Sequence, residues 1–498
     1  MGHTLNDAPM LLRSTLLALV AACCLYATTA SAQDLVEVEY RGQVSPFNPT
    51  FGVILLRFGL TGQTDFDYYT VRYTMENLEG RTDTVSGFFA RPVNVAAGSR
   101  YPRLVYQHGT TATKFGVPSR AALGTDLTYL WASQGYVVIA PDFLNMGDDQ
   151  EGFHPYVHAR TEALAAIRMM EALESFPAYA EIARDDQLFL TGYSQGGHAS
   201  MALHEVLIEE YPDEAVTAAA HMSGPYSISD VMLNEVILAD ETFLYPGFLP
   251  YTLLAYQAVY DDLDEPLDEI FRAPYVPLVQ AFRDGYETGA VRLDTLNAQM
   301  LRTYAATEGN DDFFPSRYLL PDFVTALQTP GNKYVAALRD NDTYDFTNPT
   351  PTRLYYCLAD DQVRFRNSTL AADSLNARGA SDTEAIDVDS DANHGECVVP
   401  AVAAAAPFFA QYAEVVGTEE IAGSSNWRYL QDEQSLRVYT GSDEVYRLEL
   451  IDGLGRTLRA RAYREGEVVE LAGLTPGWAV VRLIDARGRS AARKLVIR

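Results

Sequence analysis

Hydrophobic and polar positions alternate in two neighbouring stretches within the first hundred residues. Residues 68–77 (YYTVRYTMEN) and 82–93 (TDTVSGFFARPV) are rich in β-branched and aromatic side chains, and the turn-like LEGR separates them. A period of two residues is typical of strands, so the pattern predicts an antiparallel β-hairpin.

Further along, short apolar runs alternate with amphipathic helical patterns. The runs are PRLVYQH, GYVVIAPDF, DQLFLTGYS and, much later, TRLYYCLADD. Alternating strands and helices predict a mostly parallel sheet that is covered on both faces. The long segment 227–349 interrupts this alternation with helical and irregular patterns and many aromatic residues. We therefore expect an α/β domain over residues 33–416, with a helical insertion at 227–349.

The pattern changes again near the C-terminus. Residues 417–433 have the polar composition of a linker, and residues 434–498 show short strand patterns separated by glycine-containing turns. Strand patterns at such regular, turn-punctuated spacing predict a small all-β sandwich domain.

Charge and the N-terminal segment limit the possible partners and location. The chain of 498 residues has a formal net charge of -30, which disfavours nucleic acid as a partner. Residues 1–32 contain Arg13, an apolar core too short to span a bilayer, and the small residues Ala30-Ser31-Ala32. This arrangement predicts a signal peptide cleaved before Gln33. Lipid attachment at Cys23 is the alternative interpretation.

Two cysteines remain after the predicted cleavage, Cys357 and Cys397. Exported proteins meet an oxidising environment, in which such a pair predicts a disulfide bond. Closing a loop of about 40 residues would contribute roughly 4 kcal/mol to stability in the chain-entropy model.

A serine between glycines stands where a predicted strand meets a predicted helix. The residues are Gly192-Tyr193-Ser194-Gln195-Gly196. In this context the G-x-S-x-G pattern predicts a nucleophile on a sharp turn, because the glycines remove side chains that would collide with the neighbouring elements. Ser194 would project its hydroxyl above the sheet, and the Gln195 N–H would face a developing oxyanion.

A nucleophilic serine needs a base and an orienting acid, which follow it along such chains as acid and then histidine. His394, in the turn-rich DANHGEC, is the only histidine beyond both the serine and a candidate acid. Asp360 comes directly after the strand pattern and is the predicted acid, with Asp361 as the alternative. The predicted disulfide between Cys357 and Cys397 would tie the acid strand to the histidine loop.

A second oxyanion donor is expected in the loop after PRLVYQH. Gly109 permits a sharp turn there, and the N–H of Thr110 is the predicted donor. His108 is predicted to hold this loop by hydrogen bonds. No cluster of His, Cys and Asp has the spacing of metal ligands, so neither a metal nor another cofactor is expected.

With these residues placed, the region from about 66 to 415 resembles the α/β-hydrolase superfamily, and within it the secretory lipases and related bacterial esterases. The shared features are QGYVVIAPD, GYSQGGHA, ADDQV, NHGEC and a helical segment before the acid strand. The resemblance implies that residues 33–416 are an α/β-hydrolase catalytic domain in which the insertion at 227–349 is a helical lid. It also implies a catalytic triad of Ser194, Asp360 and His394 that acts on esters.

Residues from about 434 to 498 resemble the C-terminal sorting domain of type IX secretion cargo. The matching pieces are LIDGLGRTL, VELAGLTPGWAVVRL and the final KLVIR. Such domains usually have an aromatic residue where Ala479 stands, and here Trp478 precedes that position. The resemblance implies export through a Gram-negative envelope by outer-membrane secretion machinery, either to the cell surface or into the medium.

The sequence thus predicts a secreted serine ester hydrolase that forms an acyl-enzyme intermediate. The aromatic insertion is expected to form a pocket for an apolar acyl or aromatic group. Two alternatives stay open: a serine peptidase of the prolyl type, which shares the triad, and a catalytically inactive surface binding protein.

Overall fold

The computed structural model describes most of the chain after residue 33. The described residues are 34–46, 48–95, 98–149, 152–239, 241–286, 288–415, 428–431, 435–440, 445–452, 457–474, 477–484 and 490–497. The predicted signal peptide, with its cleavage site and Cys23, lies outside them. Among the helices of the described residues, none is long and apolar enough to cross a membrane.

A nine-stranded mixed sheet forms the centre of residues 34–415, in the order β1-β2-β3-β5-β4-β6-β7-β8-β9. The first three strands are antiparallel to their neighbours, and β4 to β9 run parallel to one another. The strands are β1 (Leu35–Val44), β2 (Asp65–Glu76), β3 (Thr82–Val93), β4 (Tyr101–Gln107), β5 (Val137–Pro141), β6 (Ala183–Tyr193), β7 (Val216–Met222), β8 (Thr352–Tyr356) and β9 (Thr383–Asp387). The predicted α/β sheet is therefore present.

The hairpin is formed by β2 and β3, which pair antiparallel from Asp65↔Val93 to Glu76↔Thr82. Strand β1, which was not predicted, pairs antiparallel with β2 and is the edge strand of the sheet. Its sequence LVEVEYRGQV does alternate, but this edge strand is exposed on both faces, since Val36 and Tyr40 of the apolar face are 51% and 57% exposed.

Helices cover both faces of the sheet, as parallel strands require. Helices α3 and α5 pack on one face, and α1, α2 and α13 pack on the other. The helices are α1 (Pro49–Arg57), α2 (Thr128–Ser133), α3 (Ala159–Leu173), α4 (Pro177–Ala180), α5 (Gln195–Glu210), α6 (Phe248–Val259), α7 (Leu267–Ile270), α8 (Val276–Tyr286), α9 (Leu293–Glu308), α10 (Pro321–Leu327), α11 (Lys333–Arg339), α12 (Arg366–Ala377) and α13 (His394–Phe409).

The segment between β7 and β8 is helical and has a hydrophobic core of its own. A π-helix at Ile228–Ile237 comes first, and α6 to α11 follow. Its buried aromatic residues pack together with Phe153, Tyr156 and Val157 from the loop that precedes α3. The insertion is thereby anchored on the loop beside the predicted nucleophile.

The C-terminal region forms a separate group of strands with its own core. Three strands pair in the order β10-β11-β14 and four in the order β13-β12-β15-β16. The strands are β10 (Arg428–Gln431), β11 (Ser435–Tyr439), β12 (Tyr446–Asp452), β13 (Thr457–Tyr463), β14 (Val468–Glu470), β15 (Gly477–Ile484) and β16 (Ser490–Ile497). The predicted linker, 417–433, is therefore wrong at its C-terminal end, because residues 428–431 pair with β11 as a strand.

Candidate active site

Ser194 lies on a sharp turn between β6 and α5. Its backbone has φ 62° and ψ -124°, a conformation that residues other than glycine rarely adopt. Its N–H donates to the Met222 carbonyl at 2.9 Å, which ties the turn to β7. A Cβ on Gly192 would lie 2.1 Å from the Gly196 oxygen, and one on Gly196 would lie 2.0 Å from the Gln107 oxygen. Both glycines of the pattern are therefore required by backbone contacts.

A hydrogen-bond chain runs from Ser194 through His394 to Asp360. His394 Nε2 lies 2.8 Å from Ser194 Oγ, and His394 Nδ1 lies 2.7 Å from Asp360 Oδ2. Because a carboxylate only accepts, Nδ1 carries the proton and Nε2 is left to accept from the serine hydroxyl. The other Asp360 oxygen accepts from the N–H groups of Gln362 and Val363 at 2.9 and 2.8 Å. These contacts fix the carboxylate against the imidazole.

Asp361, the alternative acid, contacts the backbone of His394 and not its ring. Its carboxylate accepts from the His394 N–H at 3.1 Å and from the Tyr245 hydroxyl at 3.2 Å. His394 is the first residue of α13, so this carboxylate lies at a helix N-terminus, where negative charge is favourable. The geometry thus distinguishes the two neighbouring carboxylates.

The predicted disulfide bond is confirmed: Cys357 and Cys397 are joined, and both are fully buried. Cys357 follows β8 directly, three residues before Asp360. Cys397 lies in the first turn of α13, three residues after His394. The covalent bond therefore joins the two segments that hold the proposed acid and base.

The two predicted oxyanion residues both lie beside Ser194. Gln195 is the first residue of α5, and the N–H groups of a first helical turn have no acceptor within the helix. Thr110 lies in the loop after β4 and lines an open pocket of about 310 Å³ together with Ser194 and His394. His108 holds this loop, because its ring nitrogens lie 2.9 Å from the Gly109 carbonyl and 3.2 Å from the Asp142 carbonyl.

An apolar cavity of about 100 Å³ opens beside Ser194 and runs under the helical insertion. Its wall is almost entirely aliphatic or aromatic, and it comes largely from the π-helix and α6. Among the residues that line it are Ile228, Met232, Leu233, Phe243, Phe248 and Leu253. Such a cavity suits an apolar group that is attached to the atom Ser194 attacks.

A buried polar network that the sequence patterns do not predict lies behind Gln195. The Gln195 amide donates to Glu162 Oε1 at 2.8 Å, and Glu162 Oε2 lies 2.9 Å from His198 Nδ1. His198 Nε2 lies 2.8 Å from the Asn341 carbonyl, so both ring nitrogens face acceptors and both carry protons. Burial lowers the pKa of His198, but the hydrogen bond and charge of Glu162 outweigh burial, and the net change in this pKa is upward.

The only sequence signal for this network is a glutamate and a histidine among small apolar residues of two helices. From this signal alone, His198 would be interpreted as a residue that packs against or caps its helix. It lies instead at the centre of a buried ion pair between α3 and α5, next to the candidate active site. The residues that meet there are distant in sequence, so no local sequence pattern predicts their contact.

Comparison with known proteins defines the class of the fold. No protein-family model and no curated protein matches this sequence. A solved structure of a Legionella pneumophila protein described as a hydrolase is 25% identical, with a TM-score of 0.65, and the match covers 76% of this chain and 98% of that one. The rice cell wall degrading esterase LipA from Xanthomonas oryzae is also 25% identical, with a TM-score of 0.61 and coverage of 75% and 94%.

Lipase A from Candida antarctica, in its closed state, shares 12% identity and the fold, with a TM-score of 0.52 and coverage of 72% of this chain and 77% of that one. The matches together give this chain the α/β-hydrolase fold. At this general level the protein is classed with the ester hydrolases.

Proposed function

We propose that the protein is a secreted serine ester hydrolase, similar to lipases and carboxylesterases, that works through an acyl-enzyme intermediate. The observation that carries this proposal is the continuous hydrogen-bond chain of Ser194, His394 and Asp360 at the mouth of an apolar cavity. The structural neighbours that are named as esterases and lipases favour an ester as the bond that is cleaved.

In the proposed reaction, Ser194 Oγ attacks the acyl carbon while His394 Nε2 takes the serine proton. Asp360 keeps the proton on Nδ1 and stabilises the imidazolium that forms. The N–H groups of Gln195 and Thr110 stabilise the oxyanion of the tetrahedral intermediate. His394 then protonates the leaving alcohol, and a water molecule releases the acid by the same route.

Two pockets meet at Ser194, and one suits the acyl group of an ester while the other suits its alcohol. The apolar cavity under the insertion suits the acyl group. The open pocket of about 310 Å³ contains His394, which must reach the leaving oxygen, and its wall includes Asp294 and Asn297, which do not line the apolar cavity. We therefore propose an ester with an apolar acyl or aromatic group and a more polar alcohol.

Secretion is proposed from two independent features. The disulfide between Cys357 and Cys397 is of a kind that persists in oxidising compartments. The C-terminal strands form a two-sheet unit with its own core, which is compatible with the proposed sorting domain. Export through a Gram-negative envelope by outer-membrane machinery remains part of the proposal.

The test is a series of p-nitrophenyl esters of increasing acyl length, given to the wild type and to Ser194→Ala. We expect the wild type to hydrolyse these esters and the variant to have a kcat lower by more than about 10⁴-fold. A fluorophosphonate should label the wild type at Ser194 alone. Circular dichroism of Ser194→Ala checks that the variant is folded, so that its loss of activity is not a loss of structure. Cleavage of prolyl anilides instead of esters would favour the peptidase, and no turnover of either substrate would favour a binding protein.

A further inference from the structure

The loop before α3 contacts both residues whose N–H groups are proposed to stabilise the oxyanion. His154 and Tyr156, both buried, belong to this loop. His154 Nε2 lies 3.0 Å from the Gln195 side-chain nitrogen, and the Tyr156 hydroxyl shares a hydrogen bond of 2.8 Å with Thr110 Oγ1. One short segment therefore reaches Gln195 and Thr110, which lie 85 positions apart in the chain.

The protonation state of His154 determines whether its Nε2 can accept a hydrogen bond from the Gln195 side chain. His154 Nδ1 donates to the Leu144 carbonyl at 3.0 Å, which leaves Nε2 as an acceptor for the Gln195 amide. Burial lowers the pKa of His154 to about 3, so the ring is neutral and able to accept near neutral pH. The second amide hydrogen of Gln195 goes to Glu162, so the side chain is fixed on both sides.

The helical insertion holds the same segment from the other side. The ring of Tyr251 stacks on Tyr156 with centroids 4.2 Å apart and planes inclined by 5°. The hydroxyl of Tyr256 donates to the Val157 carbonyl at 3.1 Å. Tyr251 and Tyr256 are both residues of α6, and α6 also lines the apolar cavity.

Val157 shows that this segment is held under backbone strain. Its φ is 48°, in the left-handed region that β-branched residues almost never occupy. Such a conformation persists only where the surrounding contacts determine it, and it concentrates at functional sites. Tyr156 and Val157 both line the apolar cavity that opens at Ser194.

We infer that residues 154–157 are a positioning segment that sets the two oxyanion donors, and that α6 holds this segment in place. His154 acts through the Gln195 side chain and Tyr156 acts through the Thr110 hydroxyl. Neither residue touches the reacting atoms, so both are positioning residues. The inference rests on the proposed ester hydrolysis and on the proposed oxyanion roles of Gln195 and Thr110.

Tyr156→Phe tests the inference, because it keeps the ring, its stacking and the cavity wall and removes only the bond to Thr110. We expect kcat to fall on the order of tenfold with KM nearly unchanged. Ser194 Oγ adds to the carbonyl carbon of a trifluoromethyl ketone, its proton passes to His394 Nε2, and the electron pair of the broken C=O π bond leaves the oxygen as an oxyanion. The affinity for this ketone should fall by the same factor as kcat.

The matched control is Tyr286→Phe. Tyr286 belongs to the same buried aromatic cluster, and its hydroxyl contacts the Tyr251 hydroxyl and not Thr110. This variant should keep the wild-type kcat and inhibitor affinity. Thr110→Val should reproduce the loss of Tyr156→Phe without adding to it in the double variant, and Thr110→Ser, which keeps a hydroxyl, should restore most of kcat.

His154→Leu should show the same loss of kcat at constant KM, because it removes the acceptor of the Gln195 amide. The inference is overturned if folded Tyr156→Phe and Thr110→Val keep the wild-type kcat and inhibitor affinity, or if Tyr286→Phe loses as much as they do. That result is distinct from failure of the proposed function, in which Ser194→Ala would stay active or the wild type would cleave no ester.

Discussion

Gly196 follows the sharp turn at Ser194, and a side chain at this position would collide with rigid backbone. A Cβ there would collide with the carbonyl of Gln107, which belongs to the central strand β4 and cannot rotate away. We expect Gly196→Ala to lower the free energy of unfolding by about 3 kcal/mol or more, with a loss of soluble yield. Thermal denaturation measures the effect.

Gly52→Ala is the control for this prediction. Gly52 lies in α1, the nearest atom to its added Cβ is 3.7 Å away, and alanine favours a helix over glycine. It should keep or slightly raise Tm. Equal Tm values for the two variants would contradict the steric role of Gly196.

The two adjacent carboxylates give a second prediction at the scale of single residues. Asp360→Asn replaces the acceptor on His394 Nδ1 with a group that can donate and can favour the wrong tautomer, so kcat should fall by about 10⁴-fold. Asp361→Asn keeps an oxygen for the His394 N–H and should lose less than about tenfold. Steady-state kinetics on one ester decides between them, and a larger loss for Asp361→Asn would exchange the two roles.

The difference between what could and could not be predicted is clear among these residues. Ser194 and Asp360 stand at the ends of strand patterns, and His394 is the only histidine far enough along the chain. Each of them therefore has a local signal. Tyr156 and Glu162 contact residues that are distant in sequence, Thr110 and Gln195, and their types alone suggest packing or a solvated helix face. Only the tertiary contacts give them a role.

Among the elements, strands that are buried on both faces were predictable, because their apolar runs are continuous. The exposed edge strand β1 and helix α1 were not identified, since half of β1 is polar and α1 is short. The π-helix at Ile228–Ile237 has no pattern that separates it from an ordinary helix. It is nevertheless the element that supplies much of the apolar cavity.

Helix α5 carries a titrating group that makes stability depend on pH. Burial, followed by the charges of Glu209 and Asp345, raises the pKa of Glu205 from 4.5 to about 7. Between these two values the unfolded chain has lost this proton and the folded protein has kept it. The contribution of Glu205 to stability therefore falls as pH rises from about 4.5 to 7 and stays low above that.

Glu205→Gln should remove this dependence. We expect the variant to match the wild type near pH 4.5 and to exceed it in unfolding free energy, by an amount on the order of 1 kcal/mol, at pH 8. Chemical denaturation at the two pH values measures the difference. Glu181→Gln, an exposed glutamate after α4, is the control and should change neither value. A Glu205→Gln variant that is less stable at pH 8 would contradict the raised pKa.

At the scale of the whole molecule, the chain combines two separately organised units. The unit built on the nine-stranded sheet holds Ser194, Asp360 and His394 on its loops and helices, together with the predicted oxyanion residues. The C-terminal strands pair only among themselves within the described residues and surround their own core, which includes Ala479 in β15. Glycine turns and alternation made this second unit predictable from sequence, but its first strand, β10, fell within the expected linker.

The boundary of the C-terminal unit determines the last prediction. Because β10 pairs with β11, the truncation that removes the whole unit is the deletion of residues 428–498 and not of 434–498. The proposed active-site residues all precede residue 428, so the purified truncated enzyme should keep nearly all of its specific activity on p-nitrophenyl esters. In the native host it should accumulate in the periplasm, whereas full-length Ser194→Ala, the matched control, should be exported without activity. Normal export of the truncated protein would refute the sorting role, and loss of activity in vitro would show that the C-terminal unit supports the hydrolase domain.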